Sequence, residues 1–204
     1  MRAVAEHFIT EEEYLKQEAV SPTKHEYFNG RIYAMSGGSN THAILCTNSA
    51  VTAANGLRGR PYRVVGSQQR VKIEATGLLT YPDVSIYCPP ARFEGRHNET
   101  LLNPVVLIEV LSPSTASYDR GEKFQNYSQL PSLTDYLLIT QERVLVEHFR
   151  RRENDWVLRS YNQRDQQVEL PDIDLVLPLS ELYADVDVPV GLVTLRAVEP
   201  DGLE

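Results

Sequence analysis

Pro104-Val105-Val106-Leu107-Ile108-Glu109-Val110-Leu111 is an apolar run broken by one carboxylate. Bounded by Pro104 and by Ser112-Pro113-Ser114, it reads as a central strand covered on both faces. A buried carboxylate without a partner is costly, so Glu109 requires a cation, a hydrogen-bonding group or a proton. A salt bridge or a place at the sheet end is the plain structural alternative.

Working upstream, Tyr62 to Ile73 and Leu79 to Cys88 flank the turn Ala75-Thr76-Gly77 and predict two antiparallel strands. Within the second, Tyr81-Pro82-Asp83-Val84-Ser85-Ile86 sets a proline at the strand entry and leaves Asp83 at the mouth of the sheet. Asp83 and Glu109 then lie on consecutive strands. If these strands are neighbours in register, the two carboxylates converge at a separation that one divalent ion bridges.

Further out, Thr10 and Glu13 fit a capping box, with Ile9 and Tyr14 as its hydrophobic staple, on a helix ending before Pro22. Asn29-Gly30 between His25–Phe28 and Arg31–Met35 is a hairpin signal. Thr41 to Ala54 predicts a helix with Ala43, Ile44, Thr47, Ala50, Val51 and Ala54 on one face, ended by Gly56. Pro89 to Asn103 reads as a polar loop. Asp119 and Glu122 suggest a second capping box, opening a helix that carries Phe124, Tyr127 and Leu130. Strands follow over 136–139, 144–149 and 156–161, then a helical turn over 179–183. The class is α/β (α+β): an αβββαβ core, a central mixed sheet flanked by helices, an added N-terminal hairpin and a C-terminal β-meander. Residues 1–184 are expected to form one domain, with 185–204 an arm or tail.

The 204 residues are 42% hydrophobic, enough for a core, and carry a formal charge of −8. Such a balance argues against coating nucleic acid or an anionic membrane by bulk charge, though not against a local basic groove. No apolar run approaches a membrane span, and the start lacks the pattern of a secretory signal. Cys46 and Cys88 read as two reduced core thiols, which predicts a cytoplasmic protein. There is no phosphate loop, dinucleotide fingerprint or nucleophile elbow, and the histidines lack the spacing of a closed zinc site.

Pro82-Asp83 followed by Glu109-Val110-Leu111, within this order of elements, resembles the restriction-endonuclease-like PD-(D/E)XK nuclease superfamily. A closer resemblance is to a widespread bacterial family of uncharacterised proteins usually labelled "putative restriction endonucleases". It is carried by Glu26-Tyr27-Phe28-Asn29-Gly30-Arg31, by Tyr81-Pro82-Asp83-Val84-Ser85, by Ile108-Glu109-Val110-Leu111-Ser112-Pro113-Ser114-Thr115, and by Tyr118-Asp119-Arg120-Gly121-Glu122-Lys123-Phe124 through Tyr127. Roughly residues 8 to 184 take part.

The resemblance implies an endonuclease that hydrolyses DNA phosphodiester bonds with Mg²⁺, Mn²⁺ substituting. Asp83 and Glu109 would hold the ion, with the Val110 carbonyl and Glu26 as further ligands, Glu26 directly or through water. The family's strand lysine is replaced by Leu111. Lys123 is the first candidate for a lysine moved to the next helix, and as a helix-face residue its removal should barely alter melting. Lys72, across the Gly77 turn, is the second. His42 is read as a helix-start packing residue rather than a base. Arg58, Arg60, Arg63 and Arg70 are expected near the site, while Arg150-Arg151-Arg152 reads as a solvated hairpin end. A homodimer acting on DNA, without a membrane, is expected. The rival reading is a non-catalytic nucleic-acid-binding or protein-interaction module.

Overall fold

A computed structural model describes residues 8–191, apart from Ser36, Arg96 and Asn98. In chain order the elements are α1 (Glu11–Glu18), β1 (His25–Phe28), β2 (Arg31–Ala34), α2 (Asn40–Gly56), β3 (Arg63–Gly66), β4 (Arg70–Ile73), β5 (Leu78–Thr80) and β6 (Val84–Tyr87). Next come β7 (Phe93–Glu94), β8 (Thr100–Leu101) and β9 (Val106–Leu111). The helix α3 (Ala116–Tyr118) runs through a π turn (Asp119–Lys123) into α4 (Phe124–Tyr127). Last are β10 (Asp135–Thr140), β11 (Val146–Arg152), β12 (Asp155–Tyr161), β13 (Gln167–Leu170), β14 (Leu175–Pro178) and α5 (Leu179–Leu182).

The central sheet has the order β12-β11-β10-β9-β6-β3. Within it β9 and β10 are parallel and the other pairs antiparallel. The expected αβββαβ order is therefore present as α2, β3, β6, β9, the α3–α4 helix and β10. Every residue of β9 is buried. Val106, Ile108 and Val110 pack toward α2, β13, β14 and α5, while Leu107 and Leu111 pack with Tyr127, Leu130, Leu133 and Tyr136. The period of two places Glu109 on the latter face.

A second sheet has the order β2-β1-β5-β4-β8-β7. One long hairpin feeds both sheets. Its outer half is the β3–β6 pair, with Gly66 opposite Val84; its inner half is the β4–β5 pair, with Val71 opposite Thr80. Between these rungs four residues, 67 to 70, face three, 81 to 83. The extra residue makes a bulge, and Pro82 has no N–H for the ladder, so the hairpin bends there and crosses between sheets. The two expected strands do pair antiparallel, but the bend splits each in two.

The Thr10–Glu13 capping box is formed, and Ile9 packs beside Tyr14. Asn29 (φ 48°) and Gly30 (φ 76°) close the first hairpin with both residues left-handed, as a type I′ turn requires. Two expectations need correction. The face α2 presents to the sheet is Leu45, Ser49 and Ala53, with Val51 half exposed; apolar residues surround this helix, so their spacing did not select a side. Asp119 caps nothing. The helix starts earlier, at Ala116, where Thr115 N–H bonds Ser112 Oγ at 3.2 Å, and Asp119 is buried within it.

The polar loop over 89–103 contains the short β7–β8 pair, and β13–β14 form a further hairpin, in which Gln167-Val168-Glu169-Leu170 alternates exposed and buried. In the C-terminal segment, Val186 and Val188 join the core and Val144 N–H bonds the Pro189 carbonyl at 2.8 Å; the rest of the expected arm, 192–204, lies outside the described residues. Cys46 and Cys88 are free and half buried. Among the described residues no helix is long and apolar enough to cross a membrane.

Candidate active site

Where the bent hairpin, β1, the C-terminal end of β9 and the π turn meet, they enclose a cavity of about 150 Å³. Its wall includes Glu26, His42, Asp83, Glu109, Asp119 and Lys123. Each arrives for a local reason. Asp83 follows Pro82 at the bulge, and the β6–β9 register, Val84 opposite Ile108, carried one step further sets Asp83 opposite Glu109. Its Oδ2 accepts from the Val110 N–H at 2.8 Å. Glu26 enters from β1 and is buried, not displayed on an exposed hairpin. His42 sits in the first turn of α2, where its backbone N–H bonds the N-cap Ser39 Oγ at 3.1 Å. Gly38 leaves room for it, since a Cβ there would lie 2.6 Å from His42 Nδ1 and push the imidazole aside.

Lys123 is 5% exposed. Its Nζ lies 2.9 Å from Glu109 Oε1, 3.1 Å from Glu26 Oε1 and 3.4 Å from Asp119 Oδ1. Asp119 and Lys123 stand four residues apart, at the two ends of the π turn, on the side that faces Glu109. Tyr127 OH donates to Glu109 Oε1 at 2.7 Å, and Thr80 Oγ1 donates to Glu26 Oε1. The cavity thus gathers Asp83, Glu109, Glu26 and Lys123, as expected from sequence. Lys72 is elsewhere: it pairs with Glu11 at 2.5 Å and Glu94 at 3.0 Å, because its cross-strand partner is Leu79. Arg58, Arg60, Arg63 and Arg70 do not line the cavity either. Arg60 pairs with Asp174, and Arg70 bonds Thr100 and Tyr81.

His42 is more than a packing residue. Its Nε2 lies 3.4 Å from Asp83 Oδ2, and its Nδ1 is 3.4 Å from Cys46 Sγ. The glycine loop before α2 was the available signal for it. Asp119, Thr80 and Tyr127 were missed as well; their roles depend on the π turn and on the hairpin bend, which no local pattern announces.

Four carboxylates share this space with one ammonium. Burial, the largest influence on Glu109, pushes it up to about 8; Lys123 opposes this, and Asp83 and Asp119 add to it. Burial also disfavours charge on Lys123, but Glu109, Glu26 and Asp119 together hold it well above the usual lysine range. Asp119 is raised, chiefly by burial. For Asp83, burial is offset by the hydrogen bond and charge of His42, the Val110 N–H and Lys123, leaving it below the ordinary aspartate range. His42 is raised in turn by its hydrogen bond to Asp83. Lys123 is therefore the resident cation, Asp83 the ionised acid, and Glu109 the acid that retains a proton until more positive charge arrives.

This surplus of acidic oxygens fits a divalent cation. Asp83, Glu109 and Glu26 offer the all-oxygen set that hard ions take. One donor atom each from His42, Cys46 and Asp83 also lie within 4.8 Å of one another, so Asp83 borders a softer nitrogen–sulfur set as well.

Comparison with known proteins agrees with this architecture. Two relatives from Synechocystis sp. are both named uncharacterized proteins. One, slr1290, is 36% identical over 176 residues, covering 86% of this chain and 91% of its own. The other, sll1609, is 30% identical over 162 residues, covering 79% and 92%. A crystal structure of a "putative nuclease belonging to DUF820" from Anabaena variabilis superposes with a TM-score of 0.70 at 19% identity, covering 86% of this chain and 98% of that one. At that identity the likeness is one of fold alone. The Uma2 family model, described as "Putative restriction endonuclease", matches residues 11–180, and the chain belongs to that family.

Proposed function

We propose that the protein is a divalent-metal-dependent endonuclease that hydrolyses DNA phosphodiester bonds, with Mg²⁺ as its ion and Mn²⁺ as a working substitute. The observation that carries the reading is the convergence of Asp83, Glu109, Glu26 and Lys123 on one cavity. Asp83 and Glu109 would hold the ion, with Glu26 as a further ligand, direct or through water. When bound, the cation supplies Lewis acidity toward a phosphoryl oxygen and makes a water more acidic.

The chain's own residues do the rest. Asp83, kept ionised by His42 and the Val110 N–H, is the oxygen ligand ready at neutral pH. Glu109 must release its proton to join it. Tyr127 and Thr80 fix the orientation of Glu109 and Glu26. Lys123, held by Glu26, Glu109 and Asp119 in the same cavity, is the ammonium that would face the phosphoryl oxygens and stabilise the charge that grows there. Cutting both strands of a duplex suits a two-fold assembly, and we read the active unit as a homodimer.

Plasmid nicking with Mg²⁺ or Mn²⁺ tests the reading, using wild type and a folded Asp83→Ala variant beside an RNA substrate. Loss of DNA cleavage in the variant is expected, and equal activity in both proteins defeats the proposal. The rival non-catalytic module is favoured by Leu111 in the strand-lysine position. It predicts no one-site Mn²⁺ titration by calorimetry, and partner binding that ignores Glu109→Gln.

A further inference from the structure

A second cavity, of about 380 Å³, shares no lining residue with the acidic one. It lies on β11, β12 and β13, and its wall carries His148, Arg150, Arg152, Arg159, Tyr161 and Glu169. The strand period explains how it forms. His148, Arg150 and Arg152 alternate along β11 on one face, and Arg159 on β12 stands opposite His148. The run Arg150-Arg151-Arg152 is thus not a uniform hairpin end. Arg151 turns to the other face, bonds the carbonyls of Leu133, Ser128 and Leu130, and lies over the Trp156 ring at 4.5 Å.

Three guanidinium groups here face one carboxylate, in a chain of net charge −8. Arg152 and Arg159 have no acidic partner within ion-pair distance among the described residues. Arg150 gives one nitrogen to the exposed Asp172 at 3.2 Å, but its buried Nε has no acceptor among the described residues. His148 is 2% exposed. Its Nε2 bonds Asp135 Oδ1 at 2.7 Å, and its Nδ1 is buried without a partner among the described residues. The buried Arg150 Nε is a donor without an acceptor among the described residues, and Arg150 and Arg159 are like-charged diagonal neighbours across β11 and β12, Asp155 being the residue opposite Arg152. An anion with several acceptor oxygens relieves both.

We propose that this groove binds the phosphate ester of a nucleotide. Guanidinium forks from two adjacent strands match a tetrahedral oxyanion, and a carboxylate has too few oxygens to meet them all. Tyr161 supplies an aromatic surface for a base or sugar at the same wall. The register sets Arg150 level with Asp135 and Val106, at the N-terminal end of β9, whereas the acidic cavity lies at its C-terminal end. The groove is a separate site and does not depend on the hydrolytic reading.

The phosphate ester has two sources, a strand backbone or a free nucleotide, and two probes separate them. Fluorescence anisotropy with labelled oligodeoxythymidine and calorimetry with AMP are applied to wild type and to Arg152→Ala/Arg159→Ala. Both arginines are exposed, so unfolding should be unchanged. A roughly tenfold loss of oligonucleotide affinity, with the log–log salt slope reduced by about one to two, assigns the groove to a strand. Loss of AMP binding with oligonucleotide binding intact assigns it to a free nucleotide. Affinity for both probes within about twofold of wild type in a folded double variant overturns the proposal. Mn²⁺ titration of the same variant reports on the acidic cavity and should be unchanged, so failure of one site is distinguishable from failure of the other.

Discussion

Lys123 Nζ lies 2.9 Å from Glu109 Oε1, although the two residues stand on different elements and Leu111 occupies the strand position beside the glutamate. The helix that follows β9 supplies the ammonium in place of a strand neighbour. Because Lys123 is buried among three carboxylates, its removal is not the neutral surface change its helix position suggests in sequence. Lys123→Ala should lower cleavage by two orders of magnitude or more and destabilise the metal-free protein by about 3–5 kcal/mol, since it leaves buried charges unpaired. Urea melts with and without Mn²⁺ check this, and the ion should restore part of the loss.

Glu109 ties stability to pH. Its ordinary value is 4.5, and in the folded protein it stands at about 8. Between these values the folded chain binds more protons than the unfolded one, so metal-free stability falls as pH rises through this window and levels off above it. Glu109→Gln should flatten that fall. Cation affinity runs the other way and rises with pH up to about 8, because the ion displaces the Glu109 proton. Chemical melts and calorimetry across the window measure both slopes.

Tyr127→Phe tests the hydrogen bond that fixes Glu109. The ring remains packed and only a buried 2.7 Å bond is lost. The expected cost is about 1–3 kcal/mol in stability. In kinetics it should appear mainly in kcat, with little change in KM for DNA, because the phenol orients an acid without touching substrate.

His42→Ala removes the group that most strongly holds Asp83 ionised against its burial. The acid limb of the pH–rate profile should move to higher pH, with weaker Mn²⁺ binding below neutrality. A profile superposable on wild type would mean that Val110 N–H and Lys123 suffice.

Lys72→Ala is the companion control. Its partners, Glu11 and Glu94, belong to a surface network away from the cavity. Cleavage should stay within about twofold of wild type, and melting should shift by no more than about 1 kcal/mol, as for partly exposed ion pairs.

Much of this was legible in the chain. The apolar run around Glu109 announced a central strand, Pro82 announced the strand entry that aims Asp83, and Asn29-Gly30 announced the hairpin that brings Glu26. Those signals are local, and local chemistry survives into the fold. What escaped is set by relations between segments. The apolar surround of α2 concealed its true contact face. The β4–β5 register set Lys72 opposite Leu79, away from Asp83, and a helix that begins at Ala116 made an expected cap, Asp119, a buried partner of Lys123. The arginine triplet on β11 looked uniform until the pleat divided it.

The bent hairpin has a consequence for how the molecule comes apart. Glu26 is supplied by the small sheet, Glu109 by the large one, and Asp83 by the joint between them. Neither sheet can open alone without scattering the acids. Backbone amides of β1, β5 and β9 should therefore exchange with deuterium as one cooperative unit, and a cation gripped at the joint should slow all three together.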